Sequence, residues 1–166
     1  FTGDVWYETE VVVRGEWKGC HIDIRFAALT HRGTVYVNGQ EIISREGGFL
    51  PFSARIDEVV RWNEKNQVVV KGNNELSFTS LPAGFTATLK SGKKMTRPFF
   101  DFFNYAGMQR PVKLLALPQE NIEDFTVNHR LEGADALVDY QVETSGSHPV
   151  AVEVYDESGA FVARAE

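Results

Sequence analysis

The residues with the clearest chemical potential lie in one stretch, Phe99–Val112, with the sequence FFDFFNYAGMQRPV. Four phenylalanines, a tyrosine and a methionine surround one carboxylate, Asp101, and one amide, Asn104. A carboxylate among so many rings costs free energy unless it is hydrogen-bonded or opens onto a site. Rings beside an acceptor-rich side chain also suit a sugar, which has apolar CH faces and a rim of hydroxyls.

The same stretch has a plainer structural interpretation, in which it is a buried aromatic strand that leads into a turn capped by Asp101. Most aromatic clusters belong to a protein core, so physics alone favours this second interpretation. For the carboxylate itself we expect a loop at the rim of the fold, partly exposed, between rings that bury their own surface.

The elements that would position this stretch are short β-strands. His21–Ala27 alternates between apolar and polar residues, as a half-buried strand does. Asn38-Gly39 favours a type I′ turn and is the strongest local hairpin signal in the chain. The apolar run at Gln67–Lys71 predicts a strand covered on both faces. Further strands are predicted over Asp4–Val13, Thr34–Val37, Glu41–Ser44, Leu76–Ser80, Phe85–Leu89, Val112–Leu117, Ile122–Arg130, Ala136–Glu143, Pro149–Tyr155 and Ala160–Arg164.

Several segments between these strands have a composition typical of turns and loops. Asp57–Trp62 is the one predicted helical turn, with Asp57 as its N-cap. His31 and Arg32 are predicted to lie on a turn, where a surface role is favoured over ligand contact. A solvated basic hairpin loop is expected at Lys90, Lys93, Lys94 and Arg97.

Many short strands separated by turn chemistry predict an all-β fold of sandwich type. Residues 1–117 supply about eight strands, which suits a jelly roll. Residues 118–166 supply about four, whereas an immunoglobulin-like sandwich needs about seven, so we expect a truncated second domain. The charge balance changes at the same place: residues 1–117 hold 15 Lys and Arg against 12 Asp and Glu, and residues 118–166 hold 2 against 11.

Composition and spacing argue against several classes of partner. The acidic second half argues against nucleic acid, because phosphate binding needs clustered Lys and Arg. No apolar run is long enough to span a membrane. The four histidines, His21, His31, His129 and His148, do not lie at metal-ligand spacing from one another or from Cys20, so no metal site is expected.

The single cysteine, Cys20, excludes an internal disulfide. Together with the lack of an N-x-S/T sequon it favours a cytoplasmic location. The chain opens on Phe1 rather than Met, so we expect its true start to lie upstream, and targeting is left open.

The stretch around Asp101 also resembles a known family. FFDFFNYAG is similar to a segment near the end of the sugar-binding domain of the β-glucuronidases of glycoside hydrolase family 2. GDVWYETEVVV, RFAALTHRGTVYVNGQEI, EGGFLPFSARID and NNELSFTSLPAG precede it in the family's order. The resemblance is strong from Asp4 to Pro118 and continues more weakly from Glu120, into what resembles the family's immunoglobulin-like domain.

This resemblance implies a hydrolase that cleaves β-D-glucuronides with retention and without a cofactor. In the family an aspartate of the DFFNYAG segment reaches into the active site and accepts hydrogen bonds from sugar hydroxyls, so Asp101 is the implied substrate-binding residue. Asn104 and Tyr105 are weaker candidates that we expect mainly to hold the loop. The implied partners are a β-glucuronide and the catalytic barrel, and self-association into a homo-oligomer is left open.

The catalytic residues themselves are not expected in this chain. Glycoside hydrolysis needs two carboxylates across the scissile bond, and in family 2 both come from a (β/α)₈ barrel. Such a barrel takes about 250 residues and cannot fit here. Asn63-Glu64 and Asn74-Glu75 look like the family's Asn-Glu-Pro acid/base motif, but neither is followed by proline. The chain alone should therefore be inactive.

Three alternatives remain open from the sequence. The chain could be an autonomous carbohydrate-binding module, because aromatic-rich jelly rolls often bind glycans. It could be a purely structural interaction domain. It could also belong to a β-galactosidase or β-mannosidase, which share the family 2 architecture.

Overall fold

The computed structural model describes all residues, Phe1–Glu166, and confirms the all-β sandwich class. The strands are β1 (Asp4–Val12), β2 (His21–Phe26), β3 (Arg32–Val37), β4 (Gln40–Glu46), β5 (Phe52–Arg55), β6 (Lys65–Asn73), β7 (Gly84–Thr88), β8 (Lys94–Pro98), β9 (Val112–Leu117), β10 (Ile122–Glu132), β11 (Asp135–Thr144), β12 (Val152–Tyr155) and β13 (Phe161–Ala165). One 3₁₀ turn spans Gly15–Trp17. The chain divides into two compact units, Phe1–Ala116 and Leu117–Glu166. No helix is long and apolar enough to cross a membrane.

The larger sheet of the first unit is antiparallel, with the strand order β1-β6-β3-β4. Its inward face carries Val68 and Val70 from β6 beside Val35 and Val37 from β3, all of them buried. The expectation that β6 is covered on both faces was wrong. Gln67 is exposed and Val69 only half-buried, because the outer face of this sheet is open to solvent.

The second sheet faces the first and has the order β5-β2-β9. The predicted alternation of β2 is confirmed, because Ile22, Ile24 and Phe26 are all buried. Phe26 stacks on Phe52 of the edge strand β5, with ring centroids 5.0 Å apart. These side chains join those of β3 and β6 in one apolar cluster, so the core lies between the two sheets.

The Asn38-Gly39 hairpin is confirmed. Asn38 and Gly39 both have positive φ, 51° and 84°, as a type I′ turn requires. The Asn38 side chain also accepts a hydrogen bond from the Gln67 backbone N–H (3.1 Å) and donates one to the Val59 carbonyl (2.8 Å). The turn is therefore tied to two segments distant in sequence.

No helix forms over Asp57–Trp62, where the chain makes a single turn in which Val60 N–H donates to the Ile56 carbonyl at 3.2 Å. Asp57 does not cap a helix: its carboxylate accepts hydrogen bonds from the Ile22 backbone N–H and from Nδ1 of His21, the latter at 2.9 Å. Burial opposes ionisation of Asp57, but these two hydrogen bonds hold the pKa of its carboxyl below the usual range. Asp57 thus fixes the start of β2 rather than a helix.

The strand predicted over Leu76–Ser80 is a loop. The Ser80 hydroxyl accepts a hydrogen bond from the Ser77 backbone N–H (2.9 Å) and donates to the Pro82 carbonyl (2.9 Å). Such local side-chain bonds compete with a β-ladder, and here they replace it.

Asn66 is a buried polar centre of the first unit, at the start of β6. Its side-chain oxygen accepts from the Arg61 backbone N–H (2.7 Å) and from the Asn38 amide (2.9 Å). Its side-chain nitrogen donates to the carbonyls of Arg61 (2.9 Å) and Glu64 (3.0 Å). One fully buried amide therefore holds the loop before β6 and the hairpin turn together.

The second unit consists of two hairpins, β10–β11 and β12–β13. All four strands overlap the segments predicted from the sequence, with ends that differ by up to three residues. Their apolar side chains remain largely exposed, Phe125 and Leu131 among them. Tyr155 and Phe161 make an edge-to-face contact across the second hairpin, with centroids 6.0 Å apart.

Replacing Asn66 should destabilise the first unit strongly. Asn66→Ala removes four hydrogen bonds made by one fully buried side chain, so we expect the free energy of unfolding to fall by roughly 3–5 kcal/mol. Gln67→Ala, an exposed neighbour on the same strand, is the matched control and should cost less than about 1 kcal/mol. Urea unfolding followed by tryptophan fluorescence measures both, since all three tryptophans lie in the first unit. Equal losses in the two variants would contradict the role of Asn66.

Candidate functional site

Asp101 lies on the loop between β8 and β9, which we call the aspartate loop and define as Phe99–Gly107. Its carboxylate is exposed and makes no hydrogen bond or ion pair with the rest of the chain. A free carboxylate on a loop between two strands agrees with the expected position at the rim. Its acceptor atoms remain available to a ligand.

The aromatic residues of this loop are not a buried strand, and that interpretation was wrong. Phe99, Phe100, Phe102, Phe103 and Tyr105 are between 47 % and 77 % exposed. The expectation that these rings bury their own surface was also wrong. What fixes the backbone of the loop must therefore be something other than ring burial.

The two ends of the aspartate loop are held by backbone hydrogen bonds. Phe99 N–H donates to the Ala83 carbonyl at 3.0 Å. At the other end Gly107 and Thr30 exchange a pair of hydrogen bonds, of 3.2 Å and 3.1 Å. Gly107 has a φ of +94°, and the Tyr7 hydroxyl lies 2.8 Å from where a Cβ would be, so only glycine fits this anchor.

The middle of the loop is held by the Asn104 side chain. Its Nδ2 donates to the Asn74 carbonyl at 3.2 Å, and its Oδ1 is hydrogen-bonded to Nε2 of His31. Both polar atoms of Asn104 are thus engaged within the protein. Tyr105 has an exposed ring 5.9 Å from that of Phe103.

His31 is buried, with 1 % of its surface exposed, so the predicted surface turn was wrong. The residue lies directly before β3, and His31, Gly33, Val35 and Val37 are all buried at a spacing of two. Extending the alternation of Val35 and Val37 backwards would have placed His31 on the core face. Arg32 points the other way and donates to the Glu75 carbonyl (2.7 Å) and to the Ser77 hydroxyl (2.7 Å).

The burial of His31 has an electrostatic consequence. Desolvation lowers the pKa of the imidazole below its ordinary value, and the hydrogen bond with Asn104 opposes this only in part. Nδ1 of the ring is buried without a hydrogen-bond partner, as is the Thr30 hydroxyl. The neutral ring is therefore the favoured form in the folded protein.

Exposed rings continue beyond the aspartate loop. Phe78, 83 % exposed, lies 5.2 Å from Phe99 between ring centroids, and Phe85 lies 6.2 Å from it. We call Phe78, Phe85, Phe99, Phe100 and Phe103 the aromatic surface. Exposed rings of this number suit a sugar or an apolar protein surface.

The two Asn-Glu pairs have structural roles. Asn63 Oδ1 accepts from the Gly15 backbone N–H at 2.6 Å, and Asn74 Oδ1 accepts from Gly3 N–H at 2.8 Å. Glu75 forms an ion pair with Lys94.

Of the four basic residues predicted on a hairpin loop, Lys90 and Lys93 lie in the exposed β7–β8 turn, whereas Lys94 and Arg97 belong to strand β8. No group of three His, Cys, Asp or Glu side chains in the structure could hold a metal ion. The site therefore consists of a free carboxylate, exposed rings and an anchored loop.

Comparison with protein families gives one match that covers most of the chain. Residues 1–118 match the family described as glycosyl hydrolases family 2, sugar binding domain. Among curated proteins, the β-glucuronidase of Paenibacillus borealis is 37 % identical over 163 residues, 95 % of this chain and 27 % of that protein. The human β-glucuronidase is 35 % identical over 166 residues. The chain thus spans about a quarter of the length of the curated relatives it matches.

Solved structures give a stronger likeness. The chain superposes on a β-glucuronidase from Ruminococcus gnavus, solved in complex with D-glucaro 1,5-lactone, with a TM-score of 0.93 and 53 % identity. It superposes on a β-glucuronidase from Lactobacillus rhamnosus with a TM-score of 0.94 and 55 % identity. In both cases the match covers 99 % of this chain and 28 % of the other.

The buried histidine predicts a loss of stability in acid. His31 has an ordinary pKa of 6.5 when unfolded and a lower one when folded, so the unfolded state binds more protons as the pH falls. We expect the free energy of unfolding of the first unit to decrease as the pH drops below about 6.5. The measurement is urea unfolding by tryptophan fluorescence between pH 5 and pH 8.

His31→Gln should remove part of this pH dependence, because an amide keeps a donor near Nε2 and does not titrate in this range. His129→Gln, at an exposed position of the second unit, is the control and should leave the profile unchanged. A His31→Gln profile that superposes on that of the wild type would show that His31 does not carry the effect.

Proposed function

The chain belongs to glycosyl hydrolase family 2, and from this membership we propose that it is the non-catalytic, sugar-binding part of a β-glucuronidase. The whole protein would hydrolyse β-D-glucuronides with retention of configuration and without a cofactor. The observation that carries the proposal is the likeness of 99 % of the chain, in both of its units, to solved β-glucuronidases at more than half identity.

The chemistry of the reaction assigns the chain a supporting role. A retaining glycosidase needs two carboxyl groups about 5–5.5 Å apart, one as acid/base and one as nucleophile. The all-β units described above contain no (β/α)₈ barrel that could present such a pair. We therefore assign both catalytic carboxylates to a barrel elsewhere in the whole protein, and to this chain one wall of the substrate cleft.

We assign residues 1–117 to the sugar-binding jelly roll. We assign residues 118–166 to the first strands of an immunoglobulin-like domain. The support for this second assignment is the pair of hairpins β10–β11 and β12–β13, whose apolar side chains are exposed and could be covered by further strands.

Within the cleft, Asp101 is the proposed sugar contact. An ionised carboxylate can accept hydrogen bonds from two hydroxyls at once, and charged partners make the stronger hydrogen bonds. Its exposure, its lack of a partner in the chain and the anchored loop beneath it support this role. Asn104 would hold the loop, since both of its polar atoms are already engaged, and Tyr105 remains a weaker sugar contact.

The aromatic surface is the proposed contact with the catalytic barrel. Rings such as Phe78 and Phe103, about four-fifths exposed, would lose much of their contact with water when an apolar protein surface covers them. Burial of apolar area at about 25 cal/mol per Å² stabilises such a contact. Asp101 directly follows Phe100 in the chain, so the same contact would bring its carboxylate to the edge of the barrel.

An autonomous carbohydrate-binding module is the second candidate, favoured by the exposed rings beside a free carboxylate. Isothermal titration of the isolated chain with glucuronic acid and with a β-glucuronide separates the two candidates. Binding without the barrel would support the module, whereas a sugar site shared with the barrel requires both partners.

The isolated chain should not cleave a chromogenic β-glucuronide, while the full-length protein should. The reason is the lack of a facing carboxylate pair in residues 1–166. Release of 4-nitrophenol from 4-nitrophenyl β-D-glucuronide measures both. If the isolated chain shows turnover, and if the ratio of activity to the amount of chain stays constant through successive purification steps, the assigned supporting role is refuted.

In the full-length protein, Asp101→Asn should lower kcat/KM without affecting the fold. A hydrogen bond to a charged group is worth about 1.5–3 kcal/mol, so we expect a decrease of roughly 10- to 100-fold. The free energy of unfolding should change by less than about 0.5 kcal/mol, because the carboxylate has no partner in the chain. Asp135→Asn, the same change of charge in the second unit, is the control.

Full activity of Asp101→Asn combined with a large loss of stability would mean that Asp101 is a structural cap. The assignment of the sugar contact would then be wrong.

A further inference from the structure

We propose that His31 is a positioning residue for Asp101. Its neutral ring, which carries its single hydrogen on Nε2, holds the aspartate loop through Asn104. Addition of a second proton, which makes the ring a cation, releases the loop. The inference rests on the proposed function of Asp101 as a sugar contact. It adds a second residue to the site and makes sugar binding dependent on pH.

The hydrogen bonds around Asn104 define the tautomer of His31. The Asn104 amide nitrogen donates to the Asn74 carbonyl at 3.2 Å, which turns the amide oxygen towards the ring. An oxygen only accepts, so Nε2 of His31 must carry the hydrogen. The other ring nitrogen, Nδ1, is then unprotonated in the neutral ring, and it makes no hydrogen bond.

Both backbone groups of His31 are hydrogen-bonded to other segments, which fixes the point from which its ring extends. His31 N–H donates to the Asn73 carbonyl at the end of β6 (3.0 Å), and the His31 carbonyl accepts from Gly47 N–H after β4 (3.1 Å). The preceding residue, Thr30, makes the paired backbone contact with Gly107. Two adjacent residues before β3 thus hold the loop, one through Asn104 and the other through Gly107.

Asp101 depends on these anchors because the loop has no comparable support of its own. It lies three residues before Asn104, and its own side chain binds nothing in the chain. The rings on either side, Phe100 and Phe102, are half exposed or more. The carboxylate is therefore held between two fixed points of the loop, Phe99 and Asn104, and Asn104 is held by His31 and by the Asn74 carbonyl.

A charge on His31 would be poorly tolerated in this position. The second proton would go to Nδ1, which is buried and makes no hydrogen bond in the folded chain. The Leu81 backbone favours the charged ring, but it is a smaller influence than desolvation. The charged groups that act on the ring are Arg32, which opposes protonation, and Glu46, which favours it.

The balance of these effects gives the direction of the switch. The hydrogen bond to Asn104 would itself become stronger with a charged donor, but desolvation of the ring is the larger effect and keeps the pKa of His31 low. A state in which the loop opens and the ring reaches water would bind the proton more readily. By linkage, acid shifts the population towards that open state and away from the one that presents Asp101.

Nuclear magnetic resonance of the 166-residue chain tests the hold on the loop without any sugar. The imidazole ¹⁵N shifts of His31 should show a hydrogen on Nε2 at neutral pH and none on Nδ1. The side-chain amide signals of Asn104 should move with the same pH midpoint as His31. A hydrogen on Nδ1, or Asn104 signals that do not follow His31, would overturn the proposal.

Kinetics of the full-length protein test the effect on sugar binding. His31→Leu removes the donor, and we expect a three- to tenfold decrease in kcat/KM, mostly through KM. His31→Gln restores a donor and should recover most of this loss, with a weaker decline of kcat/KM below pH 6.5 than in the wild type. In an Asp101→Asn background His31→Leu should have little further effect, because the residue acts through Asp101.

The outcomes separate the two proposals. Full additivity of the effects of His31→Leu and Asp101→Asn on kcat/KM would overturn the positioning role. The same conclusion would follow if kcat/KM declined below pH 6.5 as steeply in His31→Gln as in His129→Gln. If His31→Leu does not fold, the His31→Gln pH profile and the ¹⁵N shifts decide the same question. A fully active Asp101→Asn enzyme with the expected tautomer would instead refute the sugar contact, while the hold of His31 on the loop would stand.

Discussion

The register of β3 is the constraint on which the first unit depends. This strand lies between β6 and β4 in the larger sheet, and its inward side chains, Val35 and Val37, face the second sheet. A shift by one residue would turn all of these side chains to the solvent, because the side-chain period of a strand is two. The same register buries His31 just before the strand. The core and the anchor of the aspartate loop are thus fixed by one pairing.

Much of this architecture could be predicted from the sequence, because the signals involved are local. Alternation in β2 and the Asn38-Gly39 turn act over a few residues, and both are found as predicted. Asp57 failed as a helix cap for the opposite reason: its partners are His21 and Ile22, more than thirty residues away. Contacts of that kind arise only when the sheets assemble.

The candidate site shows the same division between local and distant causes. The chemistry of Asp101 could be read from the residue type and its neighbours, but its surroundings could not. A run of phenylalanines predicts burial without saying against what, and here the rings are exposed on the unit described. His31 was assigned to the surface because Thr-His-Arg-Gly has the composition of a turn. The alternation of buried residues from Val37 back to His31, at a spacing of two, is the stronger signal, and it places His31 in the interior.

The anchoring of the aspartate loop separates what the fold requires from what a ligand would touch. The polar and backbone contacts of the loop run through Phe99 at one end and through Asn104 and Gly107 at the other. Between them, residues 100–103 contribute exposed side chains and no packing to the core. Substitutions at these positions should therefore change what the loop presents to its surroundings while leaving the stability of the sandwich nearly unchanged. Folding and recognition are under separate control in this segment.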